Sequence, residues 1–269
     1  MEARTFETGT ERVIAWREGG FGRLILNNPA RHNALSLAMY EAIGRVAPRF
    51  EADPEIRVVV VSGAGDKAFV SGADISEFGE KRATAAQMAD YDAKADRAMR
   101  LLETLARPTI AMIRGYCIGG GLDLALRCDL RVAAEGSRFA IPAVRLALGY
   151  AFEDVKRLVD IVGPASAKEI LYSGRQFDAG EALAMGLVHR VVAPAALEET
   201  VEALAALLAG NAPLTIRAMK RSVAEALKDP DRRDVASVTA LVEACFDSED
   251  YAEGRRAFME KRRPVFRGR

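Results

Sequence analysis

TIAMIRGYCIGGGLDLALRCDLRVA, residues 109–133, is the stretch on which the fold turns. Thr109 to Ile113 is an apolar run without polar alternation, the pattern of a strand buried on both faces. A glycine-rich turn, Gly115 to Gly121, leads into a short helix over Leu122 to Arg127, and Leu130 to Ala133 is a second buried strand. Upstream, Val58 to Val61 is another such run. The glycine-rich segment Gly63 to Asp74 leads from it towards a helix over Gln87 to Ala106. Met88, Tyr91, Ala95, Met99, Leu102 and Leu105 mark one face of that helix, and Arg107-Pro108 stops it. Nearer the start, Val13 to Trp16 and Phe21 to Leu26 flank Gly19-Gly20 as a hairpin. Ser36 then caps a helix to Glu51, with Met39, Ile43, Val46 and Phe50 at helical spacing. Strands alternating with helices predict an α/β core. From Ala165 onward the pattern is mostly helical, with periodicity over 195–209, 213–227 and 235–246. The composition shift at Pro194 to Glu198 divides the chain into a core, 1–193, and a helical C-terminal region, 194–269.

The bulk numbers exclude several classes of function. Lys and Arg total 38, as do Asp and Glu, so no net charge draws the chain to nucleic acid. Cys117, Cys128 and Cys245 have neither a disulfide nor a zinc spacing, which fits a reducing cytoplasmic setting. His32 and His189 lack metal-ligand partners at helical spacing, so no metal site is expected. Met1 to Arg12 has no apolar core of a signal peptide, and no apolar run approaches the roughly 20 residues that span a bilayer. Gly63-Ala64-Gly65-Asp66-Lys67-Ala68 fits a dinucleotide fingerprint, but Phe69-Val70-Ser71-Gly72 opens no helix, so no helix N-terminus awaits a pyrophosphate.

Two segments are more informative together. Ala68-Phe69-Val70-Ser71-Gly72-Ala73-Asp74-Ile75-Ser76-Glu77 and Gly115-Tyr116-Cys117-Ile118-Gly119-Gly120-Gly121-Leu122-Asp123-Leu124 resemble the two signature blocks of the crotonase (enoyl-CoA hydratase/isomerase) superfamily. Arg31 to Ser36, Ala182 to Val192 and Glu253 to Phe266 resemble further blocks of it, so the likeness covers nearly the whole chain. It implies a spiral of stacked ββα units with a helical C-terminal oligomerisation region. It also implies an acyl-CoA thioester as substrate, with CoA its only cofactor-like part, and assembly as a homotrimer or a dimer of trimers. The chemistry agrees. An enzyme that makes a thioester enolate must stabilise charge on the carbonyl oxygen, and one backbone donor aimed there is worth about 3–4 kcal/mol. By the resemblance, those donors are the N–H groups of Ala73 and Gly120. The acyl-CoA shell would comprise Arg31, Ala34, Lys67, Ala68, Gly72, Asp74, Ile75, Tyr116, Gly119, Pro142, Ala143 and Tyr150. Phe258 and Lys261 would reach a neighbouring subunit's CoA. Asp74 itself reads as structural, bonding loop N–H groups. Tyr116, Cys117, Cys128 and His189 read as packing residues, and His32 as a loop residue.

The chain departs from the family at its acids. Hydratases of the family use two glutamates. Here the first position holds Asp123, one methylene shorter, and the second holds Ala143, in Phe139-Ala140-Ile141-Pro142-Ala143, which cannot transfer a proton. A positioned acid or base contributes a factor of about 10²–10⁴. Three outcomes stand open. Asp123 works with a substitute acid, Glu153 or Asp154, which otherwise read as first-turn carboxylates of a helix over Val155 to Val162. Or one acid, or Tyr150, suffices for an isomerase or decarboxylase. Or the chain binds acyl-CoA without turning it over. Acyl-chain length would follow from the packing of Met88, Phe78 and Tyr150.

Overall fold

A computed structural model describes residues 3–81 and 83–269; the side chain of Phe78 lies outside the description. The strands are β1 (Arg4–Phe6), β2 (Val13–Glu18), β3 (Phe21–Leu26), β4 (Val58–Gly63), β5 (Ala68–Val70), β6 (Thr109–Ile113), β7 (Tyr116–Ile118), β8 (Leu130–Ala134), β9 (Arg138–Ala140), β10 (Phe177–Asp178) and β11 (Arg190–Val192). The helices are α1 (Leu37–Ala52), α2 (Phe78–Lys81), α3 (Ala85–Glu103), α4 (Gly120–Leu126), α5 (Phe152–Ser173), α6 (Ala179–Ala184), α7 (Leu197–Ala209), α8 (Pro213–Ala226), α9 (Val235–Phe246) and α10 (Glu249–Met259).

One sheet runs β1-β2-β3-β4-β6-β8-β11. Its first two pairings are antiparallel and the rest parallel. The four apolar residues opening β4 now have an explanation. Val59 and Val61 face the main core with Leu24, Ala111 and α1, whereas Val58 and Val60 face a second layer in which Leu197, Val201, Leu204 and Ala205 of α7 cover the sheet. Period-two alternation distributes the run between two apolar environments, each buried valine contributing about 1.5–3 kcal/mol.

A second sheet, β10-β9-β7-β5, was not foreseen; its strands are two or three residues long and three of them lie in what reads as glycine-rich or turn sequence. It carries both signature segments, because β5 and β7 pair in parallel and each runs into the turn that follows. The Ser36 cap is formed, its hydroxyl accepting from Met39 N–H. The helix expected over Val155 to Val162 starts earlier, at Phe152, and ends at Gly163, whose φ of 74° and ψ of 165° separate it from a second helical stretch that runs to Ser173. The last helix, α10, falls in a stretch whose basic composition hid it.

Candidate active site

The site is built where β5 and β7 end side by side. After β7 the chain turns through Gly119, whose φ of 54° and ψ of −118° suit only glycine, and enters α4 at Gly120, two residues before the expected start. Gly121 allows the close approach: a Cβ there would stand 2.1 Å from the Val70 carbonyl oxygen. After β5, Gly72 and Ala73 cross in front of α4. This crossing is pinned by bonds from Leu35 N–H to Gly72 O and from Asp74 N–H to Leu35 O, both 2.8 Å. Those bonds do not use Ala73 N–H. In α4 the first amide turned back on the chain is that of Asp123, to Gly119 O at 3.0 Å. Among the described residues, neither Ala73 N–H nor Gly120 N–H has an acceptor. A carbon placed at the Cβ position of Gly120 would lie 3.7 Å from Ala73 N, so the two amides border one small volume. The α4 dipole adds positive potential there.

Asp123 stands in the first turn of α4, almost enclosed, and belongs to a network of five charges. Arg127 places Nε 3.1 Å from Asp123, Nη1 3.0 Å from Glu103 and Nη2 2.9 Å from Asp154. Arg157 grips Glu103 with two bonds, 3.0 and 3.1 Å, and sends Nη1 to Asp154 at 3.1 Å and to Asp123 at 3.4 Å. Burial pushes the Asp123 carboxyl up to about 6; Arg127 and Arg157 oppose that shift, and Asp154 reinforces it. Two phenols lie within the same field. Tyr40 and Tyr150 are both pushed well above the ordinary tyrosine value by burial, with neighbouring tyrosines and Asp123 adding to it, so each remains a neutral hydroxyl.

The expected residues divide accordingly. Asp154 joins Asp123 through shared arginines; Glu153 does not, being exposed one position earlier on α5 and outside the network. Helix geometry separates the two candidates for substitute acid, since successive residues point about 100° apart. Asp74 accepts from Ser76 N–H, the Ser76 hydroxyl and Arg31. Burial alone would raise its carboxyl, but these bonds hold it below the ordinary value. Arg31 therefore sits at the site's mouth, half-exposed. Exposed Lys67 accepts, through its carbonyl, the N–H of Tyr116, whose ring meets that of His32 edge-on at 6.0 Å. Ile75 is exposed at the same mouth, while Ala34 and Ala68 are buried beneath it. Pro142 Cδ is 4.0 Å from the Cβ position of Gly119, and Ala143 follows in a short 3₁₀ turn packed on the core. Phe258 is elsewhere in the chain's own structure: it lines a groove of about 590 Å³ between α8, α9 and α10, and Lys261 follows that helix, exposed. This groove is thus not the site of the paired amides.

Two of the three thiols are buried. Burial pushes Cys117 and Cys128 up, the latter to about 12, and each Sγ–H points at a helical carbonyl of α4. His189 Nδ1 accepts from Arg131 N–H, and burial lowers its proton affinity. Among the described residues no group of three His, Cys, Asp or Glu side chains could hold a metal, and no helix is long and apolar enough to cross a membrane. Several residues at the site carried no sequence signal. Arg127, Arg157 and Glu103 close the ion network. Arg131, buried, donates to Cys128 O at 2.7 Å and Ala125 O at 3.4 Å at the far end of α4.

Paired free amides at a helix N-terminus, beside an enclosed acid that titrates near neutrality, define a class of enzyme that holds a carbonyl oxygen while charge builds on it. The comparisons with known proteins give that class its family. The enoyl-CoA hydratase/isomerase family model matches residues 17–269, and the chain belongs to this family. It is 33% identical over 251 residues to the short-chain-enoyl-CoA hydratase of Clostridium acetobutylicum, covering 93% of this chain and 95% of that one. To the carnitinyl-CoA dehydratase of Salmonella typhi it is 35% identical over 264 residues, covering 97% and 100%. A crystal structure of an enoyl-CoA hydratase/carnithine racemase from Magnetospirillum magneticum superposes with a TM-score of 0.90 at 38% identity, covering 97% of each chain. The fold is thus the crotonase fold, and the chain is a hydratase-like acyl-CoA enzyme of this family.

Proposed function

We propose that the protein adds water across the double bond of a 2-enoyl-CoA, or removes it in reverse, with Asp123 as its one acid/base group. The observation that carries this is the pair of free amides, Ala73 on the segment after β5 and Gly120 at the start of α4, with Asp123, a carboxyl that burial pushes up to about 6, in the first turn of that helix. The thioester oxygen accepts from both amides. Ionised Asp123 takes a proton from water as hydroxide bonds to C3, and the π electrons move onto the carbonyl oxygen as the enolate. The enolate collapses as Asp123 returns the proton to C2, and the carboxylate is regenerated. One carboxyl thus performs both proton transfers, so Ala143 leaves no step unserved. Tyr150, a neutral phenol beside Asp123, orients the water. CoA enters with the substrate across Arg31, Lys67 and Tyr116, and no further cofactor is called for. A second reading, an isomerase or decarboxylase using one acid, draws support from Ala143.

The division at residues 193 and 194 belongs to this proposal as one of assembly: helices α8–α10 expose Met219, Val223, Val235, Phe246 and Phe258, a face suited to a homotrimer or dimer of trimers in the cytoplasm. A monomer in sedimentation velocity would refute the assembly. The function is tested by following loss of the conjugated enoyl-thioester absorbance of crotonyl-CoA. Wild type should hydrate it, and Asp123→Asn should fall by about 10²–10⁴-fold. Equal rates in the two proteins would refute the role of Asp123, and clear binding without turnover would favour the one-acid alternatives.

A further inference from the structure

Tyr40 is the largest polar side chain at the site that the proposed chemistry does not use. It lies on the first turns of α1, and its ring is buried against Tyr91 of α3, centroids 6.0 Å apart and edge-on. Only 5% of the residue is exposed, yet among the described residues no group hydrogen-bonds to its hydroxyl. The hydroxyl oxygen keeps some accessible surface, so it can donate to a group that enters beside it. Its direction is fixed by the same volume that the two amides border. The Cβ position of Gly120 is 3.5 Å from Tyr40 Oη and 3.7 Å from Ala73 N. A carbonyl oxygen held there by two amides has room for a third donor on the Tyr40 side.

The local scaffold holds Tyr40 in place. Leu37 N–H, at the start of α1, donates to Glu77 Oε2 at 2.9 Å, Glu77 is itself paired with Lys81, and the Ser36 cap fixes the first turn. The segment Gly72 to Asp74, which presents Ala73 N–H, is bonded to Leu35 one residue before that cap. The phenol and the amide are therefore carried by one bonded unit and keep their relative position.

We propose that Tyr40 is a third hydrogen-bond donor to the thioester carbonyl oxygen, supplementing the N–H groups of Ala73 and Gly120; this rests on the oxyanion-hole assignment above. The phenol transfers no proton. It donates more strongly as negative charge develops on the oxygen, and so favours the enolate over the bound ester. The charged groups in its field, Asp123 and Arg127, are paired with each other. The hydroxyl is thus left to donate into the volume that the two amides border.

The test uses Tyr40→Phe, which deletes one oxygen, with Tyr40→Met as a second variant lacking the hydroxyl should the first fold poorly. Crotonyl-CoA carrying ¹³C at the carbonyl is bound to the intact protein and its chemical shift is read beside hydration kinetics. Wild type should move the carbonyl signal downfield from that of the free thioester. The variants should give back part of that shift and lose about 10–100-fold in kcat, with KM changed far less. Variants that keep both the wild-type shift and kcat would overturn the proposal. A wild type that binds crotonyl-CoA with no downfield shift would instead overturn the oxyanion hole itself. The two failures appear in different proteins and stay distinguishable.

Discussion

Two adjacent glycines should answer the same substitution in opposite ways. At Gly121 an alanine methyl would stand 2.1 Å from Val70 O and 2.7 Å from Val70 Cβ, more than about 1 Å inside van der Waals contact. The nearest obstacle is backbone, so α4 must move away from β5. Overpacking of this kind costs about 1–3 kcal/mol, and displacing a reacting group by about 1 Å costs about 10²-fold in rate. At Gly120 the same methyl meets nothing closer than 3.5 Å and sits in a helical turn, where alanine is preferred to glycine by up to about 1 kcal/mol. It fills the volume beside Tyr40 Oη and Ala73 N where the proposed function puts the carbonyl oxygen. Gly120→Ala should therefore unfold in urea at the wild-type midpoint or slightly above, while crotonyl-CoA hydration falls by about 10²–10³-fold. Gly121→Ala should lose both stability and rate. Wild-type activity in Gly120→Ala would refute the placement of the carbonyl between these groups. Wild-type stability in Gly121→Ala would refute the tight seat of α4 on β5.

The pH dependence follows from the ion network. Hydration begins from ionised Asp123, so kcat/KM should fall as pH drops below about 6. Glu103→Gln removes a negative charge from the network and should move this acid limb to lower pH, whereas Arg127→Met removes a positive charge and should move it higher. Limbs that stay put in both variants would sever Asp123 from the network. The stability sign is also fixed. Because the folded value lies above the ordinary aspartate value, the native state holds more protons between them, and the Asp123 contribution favours folding at low pH and is lost as pH rises from about 4 through about 6. Wild type should therefore lose stability relative to Asp123→Asn over that window, read as urea midpoints. Arg127→Met should cost about 3–5 kcal/mol at neutral pH, since it strands buried carboxylates.

Much of the large sheet was legible because its strands are long enough to carry a pattern. The β4 and β6 runs, the β2–β3 hairpin and the Ser36 cap stand where periodicity puts them. The small sheet was not, since three residues such as Tyr116 to Ile118 cannot display an alternation. The start of α4 was placed two residues late because helix propensity discounts glycine, whereas this helix begins at Gly120 so that its first amides are bare. Asp123 was legible through a motif. Its partners were not: Glu103, Arg127 and Arg157 are far apart in the chain, and only the packing of α3, α4 and α5 makes them one object. Glu153 and Asp154 were equivalent in sequence, and the spacing of Asp154 to Arg157, one helical turn, separates them. Tyr40 adjoined the apolar stripe of α1, and nothing in the sequence aims its hydroxyl.

The network also explains how one carboxyl could serve where Ala143 has none. An acid enclosed by apolar core would keep its proton throughout the physiological range and could not serve as a base. An acid paired one-to-one with an arginine would be ionised throughout and could not serve as an acid. Here Glu103, Asp123 and Asp154 share Arg127 and Arg157, three negative charges against two positive, so the cluster carries one charge that a single proton can cancel. Glu103 and Asp154 are the more exposed of the three acids and hold the shorter arginine contacts, which leaves Asp123, with its longer bonds, as the place where that proton resides. Burial, reinforced by Asp154, keeps it from falling to the usual carboxylate range, and the arginines bring its exchange down towards neutrality. On the proposed mechanism, a group balanced in this way accepts a proton from water and returns it to carbon within one turnover, so the balance of the cluster takes the place of a second carboxyl on the opposite side of the substrate.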